Sequence, residues 1–259
     1  MQANPRVLVL IPARYGSTRF PGKPLTLLNA KPMIVHVLEN VKLGLSGMDS
    51  KVVVVTDDDR IESAIPQGLG EVARVNDEVS TGSERILLAY ERFYADKTWD
   101  LIVNVQGDEP LLSGEILKSV VDFHLKSSFD VATLVREMPK RDHEFNDPNR
   151  VKAVYVPANG SCLYFSRAGV PFDREEQGQL TWYLHIGLYS FRPEVLKKFG
   201  ALTEGNIEAQ EKLEQLRLLE NGFTIGASVT SSVLGGVDSP SDVQWVEGVL
   251  RDKGRAHGR

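Results

Sequence analysis

Short runs of aliphatic and β-branched residues alternate with amphipathic segments through the first half of the chain. This alternation limits the fold most, because a strand followed by a helix returns as a parallel neighbour in a right-handed βαβ unit. The runs are continuously apolar, which is typical of strands covered on both faces. The predicted strands are RVLVLIPA (6–13), KVVVVT (51–56), EVARV (71–75), WDLIVNVQ (99–106) and DVATLVRE (130–137). The predicted helices between them are KPMIVHVLENVKLG (31–44), DDRIESAI (58–65), GSERILLAYERFY (82–94) and SGEILKSVVDFHLK (113–126).

The pattern changes after about residue 138, where strand signals dominate. Residues 151–167 form a predicted hairpin, since Asn159-Gly160 is a strong type I′ turn signal. We therefore predict an α/β fold: one domain over 1–259, with a mixed, mostly parallel sheet flanked by helices and a β-rich insertion at 138–192. The remaining predicted elements are a strand YLHIGLYSFR (183–192), a single helix NIEAQEKLEQLRLLENG (206–222), a strand FTIGASVT (223–230) and a last helix SPSDVQWVEGVLRDK (239–253).

Composition excludes several classes of partner and site. With 30 basic and 35 acidic residues the net charge is −5, which argues against a nucleic-acid-binding face. The apolar run near the start, about seven residues long, is too short to cross a membrane and lacks the layout of a signal peptide. The single cysteine, Cys162, forbids an intrachain disulfide and a multi-cysteine zinc site, and we expect it in the core. These features indicate a cytoplasmic protein in a reducing compartment.

A basic loop follows the first strand, in the stretch IPARYGSTRFPGKPL (11–25). Its cations are Arg14, Arg19 and Lys23. It is not the P-loop of ATPases, because five residues separate its glycines and Pro24 replaces the hydroxyl residue that would hold Mg²⁺. Open α/β sheets bind ligands at the carboxyl ends of their strands, and guanidinium groups match phosphate oxygens. The loop therefore predicts a site for a phosphate-rich ligand.

Two acidic residues could complete this site. Asp108 lies in NVQGDEP (104–110), directly after a predicted strand, and Asp238 lies in GGVDSPSD (235–242), before the last helix. Taken alone, each suits an ordinary turn or helix entry. Taken together with the basic loop, they are the ligands expected for Mg²⁺ on a nucleoside triphosphate.

The order of several motifs resembles that of the 3-deoxy-manno-octulosonate (Kdo) cytidylyltransferases, over about residues 7–242. The motifs are IPARYGSTRFPGKPL, TDD, TGSER, NVQGDEP, YFSRA, LHIGLYSFR, LEQLR and GVDSP. The resemblance implies a Rossmann-like, glycosyltransferase-A-like nucleotidyltransferase fold and a homodimer, for which the β-rich insertion is a plausible interface. It also implies transfer of CMP from CTP to the anomeric hydroxyl of Kdo with Mg²⁺ as cofactor, by in-line attack, for lipopolysaccharide biosynthesis.

Residue by residue, the resemblance implies two groups of side chains. Arg14 and Lys23 would act on the triphosphate with Arg19 nearby, and Asp108 and Asp238 would hold Mg²⁺. The remaining implied ligands are Thr81, Gly82 and Ser83 along the cytosine, and Gln106, Arg167, His185, Tyr189, Glu214 and Gln215 around Kdo. Taken singly, each of these sugar-group residues could instead have a purely structural role, in the core or on a helix surface.

Other interpretations stay open. Another nucleotidyltransferase, such as a CMP-N-acetylneuraminate synthetase or a sugar-1-phosphate enzyme, would share the fold. A non-catalytic nucleotide-binding domain would not need both acids, and no G-x-G-x-x-G follows the first strand to support a dehydrogenase. Leu184 stands where many relatives carry a basic residue, and TGSER reads SGTER in many others, so an amino-substituted Kdo is an alternative substrate.

Overall fold

The computed structural model describes residues 4–16, 20–79, 81–175, 181–237 and 239–256. The strands within these ranges are β1 (Arg6–Pro12), β2 (Leu27–Leu28), β3 (Lys31–Pro32), β4 (Asp49–Thr56), β5 (Glu71–Arg74), β6 (Leu101–Asn104), β7 (Val131–Met138), β8 (Lys152–Val156), β9 (Ser161–Ser166), β10 (Trp182–Phe191) and β11 (Ile225–Thr230). The helices are α1 (Met33–Gly44), α2 (Asp59–Ala64), α3 (Gly82–Phe93), α4 (Gly114–Lys126), α5 (His143–Asn146), α6 (Pro193–Ala201), α7 (Asn206–Glu211), α8 (Gln215–Glu220) and α9 (Pro240–Ala256).

The chain divides into two compact units, and the first is built from two separate segments, Met1–Lys118 and Val233–Arg259. Its strands form a parallel sheet in the order β5-β4-β1-β6. The central strand β1 is fully buried from Val7 to Ile11, as its uninterrupted aliphatic sequence predicts. The predicted parallel βαβ arrangement is therefore confirmed for this unit.

Close helix packing in the first unit depends on a pair of glycines. Gly44 ends α1 and Gly114 begins α4, and a Cβ on either residue would overlap the backbone of the other. The absence of both side chains lets the two helix ends touch directly. This contact brings the end of α1 against the segment that follows β6.

The second unit, Ser119–Ser232, contains a mixed sheet. Its strand order is β10-β7-β11-β9-β8, with β11 parallel to β7 and β10 antiparallel to it. β8 pairs with both β9 and β10, so the five strands form a closed ring of pairings. The predicted hairpin turn is confirmed, since Gly160 adopts φ 78° between β8 and β9. Cys162 is buried, as expected, and burial raises the pKa of its thiol to about 12.

The predicted single helix over 206–222 is wrong. The structure breaks it into α7 and α8 at Lys212, whose backbone is left-handed with φ 50°. Two carbonyls freed at the end of α7 accept hydrogen bonds from Arg167, with Nε 2.6 Å from Glu211 O and Nη2 3.3 Å from Lys212 O. These hydrogen bonds give partners to carbonyls that a helix end leaves unpaired. They therefore offset part of the free-energy cost of interrupting the helix.

The prediction of one domain over 1–259, with an insertion at 138–192, stays a prediction. The predicted fold class is confirmed, because helices accompany a parallel sheet in the first unit and a mixed sheet in the second. Among the described residues, no helix combines the length and apolar character that crossing a bilayer requires.

Candidate active site

A cavity of about 210 Å³ lies at the carboxyl ends of β1 and β6 and the start of α3, all in the first unit. Parallel strands end at the same edge of a sheet, which explains why residues distant in sequence meet there. The structure brings six of the predicted site residues together in its lining: Arg14, Lys23, Thr81, Gly82, Gln106 and Asp108.

Lys23 and Asp108 form an ion pair in this cavity. Lys23 Nζ lies 2.5 Å from Asp108 Oδ2, and the two side chains are 16% and 31% exposed. Lys23 opens a single 3-10 turn, Lys23–Leu25, directly after Gly22, which adopts φ 70°. The left-handed glycine reverses the basic loop, so that Lys23 returns to face the end of β6.

A close backbone contact fixes the relative position of the two strand ends. A Cβ at Gly107 would lie 2.8 Å from Pro12 O, closer than side chains tolerate. Glycine at this position therefore allows the segment carrying Asp108 to lie directly against the end of β1. The same contact places Gln106 and Asp108 beside the basic loop.

The TGSER segment forms the first turn of α3. Thr81 caps the helix by accepting from Glu84 N at 3.1 Å, while the Glu84 carboxylate accepts from Thr81 N at 3.3 Å. This reciprocal capping holds Gly82 at the cavity wall. Ser83 is buried and accepts a hydrogen bond from Asn104 Nδ2 at 3.4 Å, so its hydroxyl is turned towards β6.

Arg85 is a lining residue that the sequence analysis missed. Its side chain is 6% exposed and forms an ion pair with Asp57 at 3.0 Å. Its Nη1 also donates to Val75 O at 2.7 Å. Arg85 thus joins the ends of β4 and β5 to α3 and adds a third cation to the cavity. The available signal was the arginine at the end of TGSER.

The TDD motif supports the basic loop from a neighbouring helix. Asp58 caps α2 by accepting from Arg60 N at 2.9 Å, and its carboxylate receives two further bonds from the Arg60 guanidinium, at 2.9 and 2.6 Å. Those side-chain hydrogen bonds lower the pKa of Asp58 to about 2. The guanidinium carbon of Arg60 in turn lies 3.3 Å from the centre of the Tyr15 ring.

Several predicted sugar ligands lie together in the second unit. The rings of His185 and Tyr189, both on β10, are 5.5 Å apart, and His185 Nε2 lies 3.0 Å from Thr133 Oγ1. Burial lowers the pKa of His185 to about 3, so the imidazole is neutral near pH 7. Burial, followed by the negative charge of Glu214, raises the pKa of Tyr189. Gln215 is 4% exposed, and among the described residues its Nε2 has no hydrogen-bond partner.

Arg167 has extensive backbone contacts. Besides its bonds to Glu211 O and Lys212 O, its Nη1 donates to Pro148 O at 2.9 Å. Its own carbonyl accepts from Lys152 Nζ at 2.5 Å, and Lys152 is fully buried. A guanidinium carries more donors than three carbonyls use, so this arrangement orients the group and leaves capacity for a ligand.

Leu184 does not share the side of the strand occupied by His185. Its side chain is 3% exposed and packs in a cluster with Met138, Phe145 and Trp182. Side chains alternate along a strand, so neighbouring residues point to opposite faces. The side chain of Leu184 is therefore part of the apolar core, although the residue directly precedes His185 in the sequence.

Two predicted site residues, Arg19 and Asp238, lie outside the described residues. Val237 N, the last described donor before Asp238, hydrogen-bonds to Asp108 O at 3.0 Å. Among the described residues, no three His, Cys, Asp or Glu side chains group as a metal cluster. Mg²⁺ commonly uses one or two carboxylates together with substrate phosphates, and the Asp108 carboxylate at the cavity wall fits that donor set.

The parallel sheet, with cations and a carboxylate gathered where its strands end, defines a nucleotidyltransferase of the glycosyltransferase-A-like type. Comparison with solved structures supports this class: a CMP:2-keto-3-deoxy-manno-octonic acid synthetase complexed with CTP matches with a TM-score of 0.86 at 31% identity, over 96% of this chain and 99% of that one. The cytidylyltransferase family model matches residues 8–225. The chain belongs to the cytidylyltransferase family.

Curated relatives agree over almost the whole chain. A 3-deoxy-manno-octulosonate cytidylyltransferase of Cytophaga hutchinsonii is 39% identical, covering 94% of this chain and 97% of the relative. An 8-amino-3,8-dideoxy-manno-octulosonate cytidylyltransferase of Shewanella pealeana is 42% identical, covering 94% of this chain and 98% of the relative. The resemblance drawn from the motifs is confirmed.

Proposed function

We propose that this protein transfers CMP from CTP to the anomeric hydroxyl of Kdo, releases pyrophosphate and so activates Kdo for lipopolysaccharide biosynthesis. The observation that carries the proposal is the cation-lined cavity of a chain that is 39% identical, over 94% of its length, to a curated Kdo cytidylyltransferase. Bare nucleotide binding would not require the carboxylate of Asp108 among those cations.

The first unit would bind the nucleotide. Arg14 and Lys23 would hold the triphosphate oxygens, because guanidinium and ammonium groups neutralise their charge and donate hydrogen bonds. Thr81, Gly82 and Ser83 would lie along the cytosine. Arg19 would add a further cation.

Asp108 and Asp238 would hold Mg²⁺. The bond from Val237 N to Asp108 O supports pairing these two acids. When bound, Mg²⁺ supplies charge stabilisation for the phosphate oxygens and acidifies a coordinated hydroxyl. On arrival of the nucleotide, Lys23 would exchange its contact with Asp108 for one with the phosphates.

The sugar acid requires a cation for its carboxylate and several groups for its hydroxyls. Arg167 would meet the carboxylate, and its carbonyl contacts would keep the guanidinium oriented. The buried Nε2 of Gln215 supports a role towards a hydroxyl-rich ligand, since a buried amide donor is costly to leave unpaired. Gln106, His185, Tyr189 and Glu214 would complete the set.

The proposed step is direct nucleotidyl transfer. The anomeric oxygen of Kdo forms a bond to the α-phosphorus of CTP while the bond to the pyrophosphate oxygen breaks, and the hydroxyl proton passes to solvent water. The protein contributes orientation of the two substrates and fixed charges around the phosphates.

A second candidate substrate is 8-amino-3,8-dideoxy-manno-octulosonate. It is favoured by the relative of that name, which is 42% identical over 248 residues. The two substrates differ at one position of the sugar, so the nucleotide chemistry would be unchanged. Competition between the two acids for limiting CTP would decide the preference.

Homodimer formation, with the segment 138–192 as interface, is part of the proposal, as is a cytoplasmic location.

The test is pyrophosphate release by the purified protein given CTP, Kdo and Mg²⁺, with each component omitted in turn. We expect rapid release that requires all three. CTP binding without release, with either sugar acid, would refute the proposed reaction and leave a nucleotide-binding protein.

A further inference from the structure

The basic loop is closed by a contact between Tyr15 and Gly22. Gly22 N donates to Tyr15 O at 2.9 Å, and the Tyr15 ring lies so close to Gly22 that a Cβ there would approach its carbon atoms to 3.0 Å. Tyr15 directly follows Arg14, and Gly22 directly precedes Lys23. The orientation of this one ring therefore bears on two of the three cations in the cavity lining, Arg14 and Lys23.

Arg60 covers the Tyr15 ring. Its guanidinium carbon is 3.3 Å from the ring centre, within the range of a cation–π contact. Asp58 fixes the guanidinium plane through two bonds, to Nε and Nη2. Such fork geometry restricts rotation of the group in a way that a lysine ammonium cannot reproduce. The helix that carries Arg60, α2, also lies against the 3-10 turn of Lys23.

This arrangement contributes little to folding. The Arg60 side chain is 58% exposed, and ion pairs at such exposure add little to stability. If the pair instead orients a binding loop, its loss will weaken ligand binding without lowering stability.

We propose that Arg60, held by Asp58 and stacked on Tyr15, is a positioning residue that sets Arg14 and Lys23, at the two ends of the basic loop, for the triphosphate. The inference rests on the proposed function, because it names the nucleotide as the ligand of that loop. Arg60 acts through Tyr15, and its side chain forms no part of the cavity lining described above.

The informative variant is Arg60→Lys, because it keeps the positive charge and loses the planar stack and the two-bond fork. If Arg60 acted by charge alone, this variant would bind CTP as the wild type does. We expect calorimetry with CTP and Mg²⁺ to give a dissociation constant raised about two- to fivefold, the scale of one exposed cation–π contact. The KM for the sugar acid and the melting temperature should stay within error.

Arg74→Ala is the matched control. Arg74 forms ion pairs with Asp59 at 2.9 Å and Glu62 at 3.7 Å on the same helix, so the variant removes a different anchor of α2. We expect its CTP affinity to be unchanged. Equal loss in both variants would overturn the inference, because general anchoring of the helix would then explain the effect.

Unchanged CTP affinity in Arg60→Lys would also overturn it. If that variant is unstable, Asp58→Asn serves instead: asparagine keeps the helix cap and weakens the fork to Arg60. Failure of the proposed function would look different, since the wild-type protein itself would then bind no CTP or release no pyrophosphate.

Discussion

Replacing Arg217 with methionine should destabilise the second unit severely. Arg217 Nε and Nη2 each lie 2.7 Å from the Glu208 carboxylate, and the two side chains are only 12% and 7% exposed. The Arg217 guanidinium also lies 4.8 Å from the centre of the Phe199 ring. The substitution removes the partner and leaves a buried carboxylate, and breaking such a pair costs about 3–5 kcal/mol.

The assay is urea unfolding followed by tryptophan fluorescence, to which Trp182, 1% exposed in this unit, contributes. Arg150→Met is the control, because Arg150 pairs with Glu144 at 2.7 Å but the two side chains are 30% and 27% exposed. Its expected cost is about 0–1 kcal/mol. The double variant Arg217→Met with Glu208→Gln should recover most of the lost stability, since the glutamine carries no charge. A cost for Arg217→Met no larger than the control, or a double variant as unstable as the single, would refute the reasoning.

Two further changes test the proposed nucleotide cavity and the pH response. Asp108→Asn should slow turnover on the order of 10²-fold with circular dichroism unchanged, and normal turnover at saturating Mg²⁺ and CTP would remove Asp108 from the site. Burial lowers the pKa of His124 to about 4, below the value of 6.5 for an unperturbed histidine. As the pH falls, His124 takes up a proton in the unfolded chain before it does so in the folded protein. The free energy of unfolding is therefore largest above the unperturbed pKa and decreases as the pH falls to the folded pKa, by about 2 kcal/mol between about pH 8 and about pH 5. His124→Gln should reduce the pH dependence of urea unfolding by that amount, and an unaltered dependence would show that His124 does not carry it.

The parallel strands and their terminal loops could be predicted because buried strands impose a local pattern. Val7–Ile11 must be apolar throughout, and a polar loop must follow where the strand leaves the sheet. Arg14 and Asp108 could be paired in advance since both follow such strands. The two residues meet because parallel strands end at the same edge of a sheet, whichever side chains follow them.

Other features depend on contacts that no local pattern records. The segment 206–222 contains strong helix formers, yet Arg167 takes up carbonyls at Glu211 and Lys212 and the helix breaks there. Arg85 and Arg60 read as surface charges of helices until the fold brings them to Asp57 and Tyr15. The site was therefore harder to predict from sequence than the secondary structure, because its side chains pair with residues distant in the sequence.

The first unit, assembled from two chain segments, imposes an order on synthesis. A ribosome synthesises every residue of the second unit before it makes α9, which belongs to the first unit. Glu247 on α9 accepts from Asn29 N at 2.8 Å, a contact across 218 positions. The early strands of the first unit must therefore wait for α9 until the rest of the chain has been made. Contacts between residues so far apart in sequence also form slowly. The first unit, although begun first, is the unit completed last.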